Sequence, residues 1–244
     1  YGIKTGLNEA FIISKEKKDE LIKADPKSAE IIRPILRGRD IKRNEIDFHD
    51  MFIINSHNGY ISEDGTKIPP IDINDYPAIK NWLDNGEWNT KDKKETNYER
   101  LAKRTDKGLT PYNLRSLAYM DDLNRPKVAW NRIASKKIFG IVPPEFMVQD
   151  SVHFITGENL KYLTAVLNSK LFSWLMTIII GDAAGGNAGN ASNVKDLTII
   201  KPTENIINKI SILLEEHDTD EIDKIIYNLY ALTDEEIRLV SSFE

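Results

Sequence analysis

An α+β fold, with a β-rich first part and a helical second part, is what this chain predicts, on three observations. Short apolar, β-favouring runs bounded by polar or turn-forming residues recur as far as His153–Ile155. From Asn159 onward, apolar residues recur instead at spacings of three and four. The charge changes sign between the two parts as well. Lys and Arg outnumber Asp and Glu by 11 to 7 over residues 1–43 and by 13 to 6 over 89–137, whereas residues 204–244 carry 3 against 11. With 244 residues and 41% hydrophobic content, the chain can bury a substantial core. We expect residues 1–158 to form the β-rich region and 159–244 the helical scaffold, the two making one integrated domain.

Taken in order, Gly2-Ile3-Lys4-Thr5-Gly6 predicts a tight turn leading into a strand over Ala10–Ile13. A helix is expected at Glu16–Ala24, ended by Asp25-Pro26, and another at Tyr76–Leu83. Phe52–Ile54, Val128–Trp130, Phe139–Val142 and His153–Ile155 read as strands. Asn85–Lys107 is strongly polar, with Glu95, Glu99 and Lys103 at helical spacing, and suits an exposed helix or a mobile arm. Leu160, Leu163, Val166, Leu167, Leu171, Trp174 and Leu175 place one amphipathic helix over Leu160–Ile180, followed by a glycine and asparagine loop, Gly181–Asn193. A strand at Asp196–Ile200 stops at Lys201-Pro202. Helices then follow at Glu204–Glu216, Glu221–Leu229 and Asp234–Val240, with N-caps at Thr219 and Thr233.

Composition excludes several function classes. There is no cysteine, so neither a disulfide framework nor cysteine-ligated zinc is available, and the cytoplasm is the expected compartment. His49, His57, His153 and His217 are scattered without metal-ligand spacing. Polar residues interrupt Leu160–Ile180, so it reads as a buried helix rather than a membrane span. Gly181-x4-Gly186 is followed by Asn187-Ala188 where a phosphate-cradling loop needs Lys and Ser or Thr. Because the chain starts at Tyr1, it reads as a piece of a longer polypeptide. Two basic blocks and an acidic tail allow a positive groove on a molecule of net charge −5.

Four ordered segments resemble the TaqI-like C-terminal specificity domain of type IIG restriction-modification enzymes and adenine-N6 DNA methyltransferases. These are the opening Gly2–Ile13 with Ile32–Ile41, then Leu114-Arg115-Ser116 with Tyr119 and Arg125–Val128, then Asn159–Phe172, and finally Glu221–Ile237. The resemblance implies a lobe that reads double-stranded DNA beside an upstream methyltransferase domain of the same polypeptide, which flips an adenine and methylates it. S-adenosylmethionine, and Mg²⁺ where a nuclease is present, would belong to that remainder. The chain itself has no Asn-Pro-Pro-Tyr or Asp-Pro-Pro-Tyr motif, and Pro143-Pro144 is followed by Glu145, so no aromatic platform for a flipped base stands there. It also has no convincing Asp…Glu-x-Lys nuclease centre, and we expect no catalytic residue and no cofactor in it.

Base readers need Arg or Lys for guanine and Asn or Gln for adenine, and phosphate contacts draw on Lys, Arg, Ser and Thr. Lys4, Thr5 and Asn8 on the opening turn have that chemistry, the alternative being that Thr5 and Asn8 only cap the turn and Lys4 faces solvent; Arg37, Arg39, Lys42 and Arg43 around Gly38 have it too. The alternative for the second group is that Arg39 pairs with an acidic neighbour to fix the loop. Asn131 and Arg132 end a strand as base-edge candidates, while Trp130 beside them is expected in the core. Asn187 and Asn190 complete the set, on a loop that could equally be an inert linker. The competing reading is a domain that docks other subunits through its apolar helix and acidic tail.

Overall fold

Among the described residues, three small sheets and a set of helices divide their side chains between two apolar clusters that share one strand. The computed structural model describes residues 1–90, 94–134, 137–180, 194–195 and 197–242, with the side chains of 179 and 180 left out. The elements of the first part are α1 (Asn8–Phe11), β1 (Ile12–Ser14), α2 (Lys15–Ala24), β2 (Ile32–Leu36), β3 (Met51–Ile54), β4 (Tyr60–Ile61), β5 (Lys67–Ile68), α3 (Pro77–Asn85), α4 (Asn97–Lys103), α5 (Met120–Leu123), β6 (Lys127–Asn131), β7 (Phe139–Val142), β8 (Met147–Val148) and β9 (Val152–Ile155). The second part holds α6 (Leu160–Asn168), α7 (Lys170–Ile180), α8 (Glu204–Glu215), α9 (Thr219–Leu229) and α10 (Asp234–Ser241).

The larger sheet runs β1-β3-β2-β8, antiparallel except for β2 against β8. A second, antiparallel sheet runs β7-β6-β9, and β4 with β5 forms a separate hairpin. Successive strand residues face opposite sides, and β6 uses both. Ala129 belongs to the cluster of the β-rich part, whereas Val128 and Trp130 belong to the cluster built with α6 to α10. Trp130 is 1% exposed, in the core as expected. One strand thus roots two cores.

Several expectations are corrected. In place of a strand over Ala10–Ile13, α1 comes first and β1 begins only at Ile12. Ala10 and Phe11 are both fully buried, which adjacent residues of a flat strand achieve only with both faces covered, while one helical turn sends both inward. The single helix over Leu160–Ile180 is two helices, because Ser169 takes extended dihedrals between α6 and α7. Its hydroxyl donates to the Val166 carbonyl at 2.7 Å and accepts from the Phe172 N–H at 3.2 Å, while the Lys170 N–H reaches the Asp223 carboxylate at 2.9 Å. Leu197–Ile200 is not a strand, and Asp196 lies outside the described residues. Two tyrosine hydroxyls take its backbone groups: Tyr162 donates to the Ile200 carbonyl, and Tyr230 donates to the Thr198 carbonyl while accepting from the Ile200 N–H. Asp218, not Thr219, caps α9, accepting from the Glu221 N–H.

The polar Asn85–Lys107 segment contains α4, capped by Thr96 with Glu99 and anchored by a fully buried Leu101. Residues 91–93 of that segment lie outside the described residues. No helix among the described residues is long and apolar enough to cross a membrane.

Candidate nucleic-acid interface

Gly38 brings the two basic blocks together. A Cβ at Gly38 would stand 2.5 Å from Asn131 Cγ, so glycine lets the Arg37–Arg39 loop approach the end of β6 without displacing the Asn131 amide. The Gly38 N–H donates to Ser151 Oγ at 3.2 Å, and the Arg132 N–H donates to the Ser151 carbonyl at 2.8 Å. Just past it, the Asn44 N–H donates to the Phe139 carbonyl on β7. Residues about ninety positions apart in sequence are neighbours here.

Within the loop the arginines divide their work. Arg37 pairs with the buried Asp40 through Nε at 2.9 Å and a terminal nitrogen at 3.0 Å, and Asp40 also accepts from the Arg37 backbone N–H at 2.8 Å. The acidic pairing expected for Arg39 falls to Arg37 instead, because Arg37 sits directly over the buried Asp40. Arg39 leaves 72% of its side chain exposed, its Nε at 4.0 Å from Asp40. Lys42 donates to the Arg39 carbonyl at 3.1 Å and lies 3.7 Å from Asp47, with 45% of its side chain exposed. Arg43 turns away, donating to the Asn168 carbonyl at 2.6 Å. Asn168 is itself buried, accepting from the Phe139 N–H at 3.0 Å and donating to the Phe139 carbonyl and to Asn44 Oδ1, each at 2.7 Å. Its amide completes the edge of β7 as another strand would, and so fastens the loop to α6.

At the end of β6, Asn131 is half-buried and its Oδ1 accepts the Ile133 N–H at 2.9 Å. Arg132 and Ile133 are exposed, and no acidic residue pairs with Arg132 among the described residues. The next feature escaped the sequence reading. Lys137 is 8% exposed, and its ammonium donates to the carbonyls of Arg132 at 3.0 Å, Asn131 at 3.4 Å and Ala134. Burial lowers its pKa.

The opening turn adjoins this loop. The Ile3 N–H donates to the Val148 carbonyl, and Gln149, next in the chain, donates from its N–H to the Leu36 carbonyl. Lys4 pairs with Asp106 at 3.1 Å, and Gly6, at φ +68°, lies against the same residue. Burial would raise the Asp106 pKa, but hydrogen bonding and charge from Lys4, with Arg115 beyond, hold it below the usual carboxylate range. Thr5 is 1% exposed: its hydroxyl donates to Asn8 Oδ1 at 2.6 Å and accepts the Leu7 N–H. Thr5 thus shapes the turn, whereas Lys4 and Asn8 are exposed. Behind the turn Arg104, 6% exposed, donates to the carbonyls of Thr5, Asp106, Pro111 and Asn113 and lies over the Phe11 ring. Nothing in the local sequence distinguishes Arg104 from its exposed basic neighbours.

The exposed cations Lys4, Arg39, Lys42 and Arg132 therefore stand on one contiguous set of loops, with Asp40 and Asp106 as internal counter-charges. Asn187 and Asn190 lie outside the described residues. No group of three or more His, Cys, Asp or Glu among the described residues could hold a metal ion. What the loops can do chemically is bind an extended anion and offer amide and guanidinium groups to base edges.

Comparison with curated proteins gives no match. Among solved structures, one titled as the type IIL restriction-modification enzyme MmeI in complex with DNA superposes over 96% of this chain with a TM-score of 0.63, at 15% identity. The chain spans 32% of the length of that protein, and at this identity the likeness shows the fold. The model of the TaqI-like C-terminal specificity domain matches residues 33–186, which takes in the Gly38 loop, β6 and α6. Lys4, Thr5 and Asn8, and the resembling segment Glu221–Ile237, fall outside that span. With well over half of its residues matched, the chain belongs to the TaqI-like C-terminal specificity domain family.

Proposed function

We propose that this chain recognises the DNA target of a restriction-modification enzyme, and that in doing so it directs an adenine-N6 methyltransferase domain preceding it in the same polypeptide. The observation that carries the reading is the contact of Gly38 with Asn131, which unites the basic loop with the end of β6. In this reading the exposed Arg39 and Lys42 meet phosphates, and Arg132, exposed at the end of β6 with no acidic partner among the described residues, offers its guanidinium fork to guanine. Asn131, with its carbonyl oxygen committed to the Ile133 N–H, offers a base its amide group. S-adenosylmethionine and any Mg²⁺ would be held by the rest of the enzyme, which would act in the cytoplasm.

The test is binding of the intact protein to a randomised duplex library over a range of salt. DNA reading predicts a selected sequence and an affinity that falls steeply with salt. Docking of a partner subunit through apolar surface predicts no selected sequence and little salt dependence.

A further inference from the structure

The loop after β6 is held more firmly than an exposed turn needs to be. Three restraints converge on Asn131–Ala134: the Lys137 ammonium gathers the carbonyls of Asn131, Arg132 and Ala134, Asn131 Oδ1 holds the Ile133 N–H, and Gly38 lies against the Asn131 side chain. An ammonium has three donors, and three carbonyls satisfy them without a carboxylate. Burying that charge is costly, and the return is a fixed backbone over Asn131–Ala134. With its carbonyls drawn inward, the loop leaves Ile133 60% exposed between Arg132 and Ala134.

An apolar, β-branched side chain held out rigidly beside Arg132 gains nothing for the fold. The major groove offers one apolar feature to match it, the C5-methyl group of thymine. A loop already ordered before binding also avoids the entropy of being ordered on contact. We propose that Ile133 makes an apolar contact with a thymine methyl in the target site, and that Lys137 is a positioning residue that sets this contact without touching DNA. The proposal rests on the DNA-reading function above.

The experiment uses the intact protein and the duplex selected from the randomised library, with each thymine replaced in turn by uracil, which lacks the methyl. At one position the replacement should weaken wild-type binding about fivefold, and Ile133→Ala should be indifferent to it. Lys137→Met should lose the same discrimination while keeping the wild-type salt slope, and adding it to Ile133→Ala should change nothing further. Thermal unfolding of each variant checks the fold, and Ile133→Ala, an exposed site, keeps the test open if Lys137→Met fails to fold. Wild-type binding indifferent to every uracil, or an Ile133→Ala protein as sensitive as wild type, overturns the thymine contact. A salt slope shallower by about one phosphate in Lys137→Met overturns the positioning role, because Lys137 would then touch DNA. If the wild type selects no sequence at all, the DNA reading itself has failed, an outcome distinct from either.

Discussion

The β-rich part and the helical part solve the same problem, satisfying backbone polar groups, by different means. In α8, α9 and α10 the work is local: hydrogen bonds run within each helix, and Thr203, Asp218 and Thr233 cap N–H groups three residues on. The loops of the β-rich part depend on side chains far away in sequence. Arg104 reaches back to the Thr5 carbonyl, Asn113 Nδ2 reaches the carbonyls of His57 and Ile71, and Arg33 reaches those of Pro144 and Glu145. The difference teaches where recognition is built. Loops braced from a distance can hold unusual shapes and present exposed cations, while capped helices supply a base whose stability does not depend on those shapes.

Removing a distant brace should therefore cost far more than removing a local cap. Arg104→Leu strands four carbonyls around a buried site, and we expect a loss of about 3–5 kcal/mol in urea unfolding. Next in size is an acid effect seated in the β-rich part. Burial above all, then the positive charge of the N-terminus and those of Arg132 and Lys137, pushes the pKa of His153 down to about 4. The unfolded chain takes up that proton near pH 6.5 and the folded protein does not. Stability from this group is complete above pH 6.5 and falls towards pH 4, by up to about 3 kcal/mol. His153→Gln should flatten the unfolding free energy over that window, and an unchanged pH profile would exclude the assignment.

Asn168→Ala removes the amide that links α6 to β7 and to the Gly38 loop, with an expected loss of about 2 kcal/mol in the same assay. If the two parts were independent, it would lower only the melting of the helical part. Smallest is Thr233→Ala, which deletes one capping box at the start of α10. About 1 kcal/mol should be lost, and a larger loss would mean that the helical part is not locally held.

The same contrast governs what could be read from the sequence. The last three helices and the strands β3, β6, β7 and β9 were legible to within a few residues, because periodicity and turn residues record local preferences. Ser169, Leu197–Ile200 and α1 were not, since an Asp223 carboxylate, two tyrosine hydroxyls and a two-sided core decide their conformations. For the candidate site the sequence supplied the candidate residue types and the two basic blocks that folding brings together. It could not tell that Arg37 is paired with Asp40, that Arg43 reaches the Asn168 carbonyl, that Thr5 is buried, or that Lys137 holds residues 131–134. Each of those facts depends on a partner that folding alone brings near.

The central claim is that the Gly38 loop and the end of β6 form one DNA-facing surface. It is tested most directly by the salt dependence of duplex binding for the wild type, Arg39→Ala, Arg132→Ala and the double variant of the intact protein. Each phosphate contact contributes about 0.9 to the slope of log K against log salt. Arg39→Ala should make the slope shallower by about that amount and weaken all duplexes alike, whereas Arg132→Ala should relax preference at one base pair by about 1–3 kcal/mol. The double variant should show both losses on the same target. Wild-type slope and wild-type preference in the folded double variant would contradict the account.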